Sequence, residues 1–154
     1  MAAIASEWTG ATGLSLSLCE DLPRSAAWTG PDCQVDHLVR GGGLGLVHGA
    51  KEQTVGCGGC PFRVVAYVQG TATGASLPGA VAVTGFVYLR SHRAHDPYAI
   101  PYALDLSCLD QGAPCRINGT LTEDGRLAAS VGTGSPEGPP SQHSLTRVGA
   151  AACP

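Results

Sequence analysis

The sequence predicts an all-β fold, an antiparallel β-sandwich of about eight short strands with a closed β-barrel as the alternative. Three observations carry that expectation. Apolar residues recur at period two wherever a pattern can be read, as half-buried strands require. Twenty-two glycines and eleven prolines fall between the apolar runs and punctuate the chain with turns. No window of about eleven residues keeps a helical period free of glycine or proline, so little helix is expected.

The elements follow in order. Leu14, Leu16 and Leu18 alternate with Ser15 and Ser17 in a strand that ends near Cys19. Glu20 to Pro31 reads as a connecting loop, because it holds two prolines and a glycine. Cys33, Val35 and the Leu38-Val39 pair suggest a second strand, broken by Gly41-Gly42-Gly43, after which Leu44, Leu46 and His48 make a short third. The clearest pair comes next. Phe62 to Thr73 and Ala80 to Ser91 are β-branched and aromatic-rich, and the loop at 74–79 between them makes a long hairpin.

Ile100 to Leu109 places Tyr102, Leu104 and Leu106 on one face and Ala103, Asp105 and Ser107 on the other, so one side of it should be wet. Arg116 to Thr122 and Arg126 to Val131 flank Glu123-Asp124-Gly125, where the Asp-Gly pair signals a tight hairpin. These elements delimit a single β domain over residues 1–131. Residues 132–154 read as a Gly/Pro-rich loop followed by a C-terminal edge strand or tail, from Leu145 to Cys153.

Composition narrows the partners. The formal net charge is −3, which leaves no basic face to displace counterions from a phosphate backbone, so no nucleic-acid partner is expected. Lys51 is the only lysine, which rules out a polybasic membrane anchor. Every apolar run stops short of the roughly 18 residues that span a bilayer, so no membrane span is expected.

Seven cysteines, at 19, 33, 57, 60, 108, 115 and 153, admit two explanations, disulfides and metal. Cys108 and Cys115 end adjacent strands and enclose a short loop, which makes a bridge between them geometrically easy. Cys33 joined to Cys153 or to Cys19 would be a longer staple. Cys57-Gly58-Gly59-Cys60 has the spacing of half a zinc knuckle, whose second half is missing. The same spacing serves thiol redox chemistry only at a helix N-terminus, and Pro61 to Val68 reads as strand. No cofactor is therefore expected, with one structural zinc at Cys57 and Cys60 as the alternative.

The most polar stretch of the chain, Ser91 to Tyr98, lies between two strong strands and so reads as a loop on a rigid scaffold, where function usually sits. His92, Arg93, His95, Asp96 and Tyr98 are its candidate binding residues. His92, His95 and Asp96 could also act as a general base with an orienting carboxylate or as metal ligands, the basis of a hydrolase alternative. No nucleophile elbow, P-loop or dinucleotide fingerprint is present, and no catalytic residue is assigned.

The expected function is thus that of a non-catalytic binding module, extracellular or surface-exposed and stapled by disulfides. Its loops at 74–79, 91–99 and 110–114 would engage a protein partner or an apolar small ligand. The cysteine density and the glycosylation triplet Asn118-Gly119-Thr120 favour that setting. The N-terminal residues lack a basic start and an apolar run, which favours an intracellular alternative. In that alternative the chain is an interaction or assembly subunit with reduced cysteines or one zinc.

Overall fold

A computed structural model describes residues 3–27, 45, 53–54, 63–74, 77, 79–89, 102–109, 115–122, 124–132 and 139–153. The strands are β1 (Glu7–Gly10), β2 (Ser15–Glu20), β3 (Gln53–Thr54), β4 (Arg63–Thr73) and β5 (Val81–Leu89). They continue with β6 (Tyr102–Cys108), β7 (Arg116–Leu121), β8 (Leu127–Gly132) and β9 (Ser141–Gly149). One short helix, α1 (Leu22–Ala27), follows β2. The all-β expectation holds, and of the two architectures it is the closed barrel that forms.

Closure comes from two pairings between elements distant in sequence. β4 to β9 run as an antiparallel meander, β9 pairs with β1, and β2 pairs with both β1 and β4. The ring therefore holds eight strands, with β3 attached only to the start of β4. A sandwich would leave sheet edges at these places, whereas closure removes them. The C-terminal segment also differs from its expected role. β9 is no edge strand or tail outside the domain, because it has β8 on one side and β1 on the other.

Three elements were not anticipated, the two-residue β3 among them. β1 is four residues long, and of its inward positions only Trp8 carries a side chain, Gly10 being the other. α1 lies within the segment expected to be loop. Asp21 caps it, its carboxylate accepting from Arg24 N–H at 3.1 Å and its carbonyl from Ser25 N–H at 2.9 Å. The helix then covers a gap in the ladder. β2 stops opposite Val68, so Tyr67 of β4 instead donates its N–H to Ser25 Oγ (3.0 Å) and accepts at its carbonyl from Asp21 N–H (2.8 Å). The strands expected between Cys33 and His48 lie outside the described residues, apart from the turn residue Gly45.

Period-two alternation puts one side chain of each pair inside the ring. Trp8, Leu14, Leu16, Leu18, Val68, Leu104, Leu106, Ile117, Leu127 and Leu145 are buried there, with smaller residues such as Ala66, Ala72 and Ala129 between them. Each large side chain removed from water stabilises the fold by roughly 1.5–3 kcal/mol. The Trp8 indole N–H, which could not be left unpaired, donates to Ile4 O at 3.3 Å. The interior is thus a packed core. Among the described residues just over half of the outward positions are Ser, Thr, Asn or Gln, whereas the outer band of a membrane-spanning barrel is apolar. Among the described residues no helix is long and apolar enough to cross a membrane.

Glycine bends the wall where strands must curve. A Cβ on Gly70 would lie 1.8 Å from Ser17 O, and one on Gly85 would lie 1.8 Å from Asp105 O. Only glycine permits that approach. Among the described residues two disulfides complete the fold. Cys108 and Cys115 join β6 to β7 with Cα atoms 5.1 Å apart, as expected. Cys153 bonds Cys19 across 5.7 Å between Cα atoms, instead of Cys33, because β9 and β2 are separated in the ring by β1 alone.

Candidate functional site

The strand ends sort the connections into two groups. At one end of the barrel lie the β1–β2, β4–β5, β6–β7 and β8–β9 connections; at the other lie the β5–β6 and β7–β8 connections, α1 and the segment after β9. The strand ends from which the three expected binding loops depart are therefore divided between the two ends of the barrel. Thr73 and Cys108 belong to one end, and Leu89 belongs to the opposite end.

His92, Arg93, His95, Asp96 and Tyr98 lie outside the described residues, as do Cys33, Cys57 and Cys60. The anchors of their segments are described, and they are adjacent. Arg63 pairs with Leu89 on one side and Thr54 on the other, and Leu89 pairs with Tyr102. The chain thus enters and leaves 55–62 and 90–101 from four neighbouring positions at one end of the barrel.

One concavity formed by described residues lies on the outer wall. A groove of about 430 Å³ runs over β2, β4 and β5, where register aligns Ser17 with Thr71 and Ala82, and Cys19 with Gln69 and Thr84. Leu109, exposed and held by its N–H to Ala82 O at 2.8 Å, forms one margin. Ala152, next to the bonded Cys153, forms another. Among the described residues no charged side chain lines it. The hydroxyls and the Gln69 carboxamide can donate and accept, so the groove suits a neutral polar surface with a small apolar contact at Leu109.

Beside the groove stands an aromatic strip. The Arg24 guanidinium lies 4.2 Å from the Tyr67 ring centroid, and its Nη1 is 3.5 Å from Thr84 Oγ1. Phe86 packs edge-on to Tyr67 at 6.4 Å and tilted to Tyr88 at 5.6 Å. Burial pushes the Tyr67 phenol above its ordinary pKa, and the Arg24 charge opposes that shift. The strip thus presents one cation, held over a ring, at the border of an uncharged surface.

At the barrel's opposite side, His143 fills an inward position. Thr12 Oγ1 hydrogen-bonds its Nδ1 and Ser141 Oγ lies 2.8 Å from its Nε2. Both ring nitrogens are satisfied by hydroxyls, which explains how the ring can be buried there. The groove escaped the sequence reading because its residues come from strands whose adjacency is long-range. The available signal was the run of uncharged outward positions, Ser15, Ser17, Gln69, Thr71 and Thr73.

Comparison of the chain with protein-family models, with curated proteins and with solved structures found no match.

Proposed function

We propose that this chain is a non-catalytic, extracellular or surface-exposed binding module that engages a partner protein on the outside of its barrel. The observation that carries this reading is the distribution of space. Trp8 and the leucines occupy the interior, while the groove over β2, β4 and β5 is open to solvent and uncharged. The described core residues fill the interior positions with side chains, and the hydroxyls and carboxamide of the outer groove suit a protein surface with hydrogen-bonding groups.

Two disulfides support the setting, since such bonds persist in oxidising compartments. The test places a photoreactive side chain at Thr71, in the groove, or at Ser130, on β8, in the full-length protein. Cross-linking to one partner from Thr71 alone, abolished by Thr84→Arg, is the expected result. Equal labelling from both positions, or none, would sink the reading. Thiol titration of the denatured, unreduced protein checks the setting separately. The four described cysteines are all bonded, so at most three of the seven can react.

A further inference from the structure

The triplet Asn118-Gly119-Thr120 stands on β7, and alternation divides its side chains. Asn118 is exposed on the outer wall, and Gly119 points inward, where a Cβ would lie 3.0 Å from Leu127 Cδ1. Its neighbours in register are Asp105, whose carboxylate is taken by Arg116, and Ser130. In the eight-strand ring β7 is four strands from β2 and two from β5, with β6 between β7 and the groove's nearer margin. A group attached to Asn118 would therefore project from a wall that supplies no residue to the groove.

We propose that Asn118 is the acceptor of an N-linked glycan. The inference rests on the extracellular part of the proposed function, and it deepens it by assigning that wall to sugar. Two disulfides fit an oxidising compartment, and the secretory pathway, where such triplets are read, is one. In the transfer, the Asn118 amide nitrogen bonds to the anomeric carbon of a lipid-diphosphate-linked oligosaccharide. The carbon–oxygen bond to the diphosphate breaks, the lipid diphosphate leaves with the bonding pair, and the nitrogen gives one proton to a base of the transferase.

The barrel dictates when this happens. In the folded chain β7 is paired with β6 and β8, so its backbone is not free to enter another active site. β8 and β9 follow β7 in the chain and are made later, so the triplet is free during translocation and is locked afterwards. The finished glycan stands in water and displaces no core side chain.

The experiment is cell-free translation of the full chain behind a cleavable leader into microsomes, counting only protease-protected chains. The expected result is one glycan on the wild type. Its enzymatic release in heavy-oxygen water should leave labelled aspartate at position 118, absent from an enzyme-free control. Asn118→Gln and Thr120→Ala should reduce occupancy to background, Thr120→Ser should restore it, and purified folded protein offered to the same transferase should remain unmodified. Imported wild-type chains without the glycan would overturn the proposal. If those chains carry both disulfides and still cross-link from Thr71, the binding reading stands and only the glycan fails.

Discussion

Cys19 on β2 is bonded to Cys153 beyond β9, so a covalent link spans β1, the one strand that separates them in the ring. The two pairings that close the barrel, β9 with β1 and β2 with β4, are the ones with the largest loop-closure cost. The link spans the first of them.

The two disulfides should therefore differ in weight. On the chain-entropy account, a separation of 134 residues is worth about 5 kcal/mol and one of seven about 2.5 kcal/mol. Denaturant midpoints of Cys19→Ala/Cys153→Ala and Cys108→Ala/Cys115→Ala, at equal slope, check this. A larger loss from the second pair would refute it.

Trp8 is 1% exposed and contributes the largest side chain of the core. Trp8→Ala should cost about 3–5 kcal/mol, because neither the area nor the cavity is recovered. Trp8→Phe should cost less and should free Ile4 O from its indole partner. Urea unfolding of the two variants gives the comparison.

These two features also mark what the sequence discloses. The alternation of Leu14, Leu16 and Leu18, and of Tyr102, Leu104 and Leu106, is local, so β2 and β6 were legible. β1 was not, because Gly10 presents no side chain on the inward face and Leu145 fills that place, its Cδ2 2.6 Å from where a Cβ would stand. β9 showed faintly, since His143 and Arg147 share inward register with Leu145. Sandwich and barrel have the same local pattern and differ only in long-range pairing, as does the bond of Cys153 to Cys19. The Asp21 cap before Pro23 was a helix signal that the surrounding glycine and prolines obscured. The loop bearing His92 lies outside the described residues, and the groove depends on the neighbourhood of β2 and β4.

Gly85→Ala should cost at least about 2–3 kcal/mol, since its Cβ would meet the backbone of β6 and strands must shift apart. Gly79→Ala offers the contrast. It has nothing within 4 Å but a φ of 91°, so its cost is the conformational penalty alone, about 1–2 kcal/mol. Equal losses would refute the close approach at Gly85.

The β7–β8 turn should weaken in acid. The Thr122 hydroxyl on the Asp124 carboxylate, then the Arg126 N–H and charge, hold that carboxyl below its usual range. A folded pKa below the unfolded one gives a contribution that is complete above the unfolded value, near 3.8, and lost as pH falls through the folded value. NMR titration of Asp124 in folded and urea-unfolded protein reads both midpoints directly. A folded midpoint equal to or above the unfolded one would overturn the assignment, and Asp124→Asn should abolish this part of the pH dependence.

Because Glu7 is the register partner of Gly149, the ring can be entered at any strand. A circular permutant with a short linker from Gly149 to Glu7, opened in the β4–β5 hairpin, keeps every strand neighbour of the original and dispenses with Ile4 and with the Cys19–Cys153 bond. In that rearranged chain β9 and β1 become a local hairpin, and the slow long-range search is transferred to the pairing of β4 with β5.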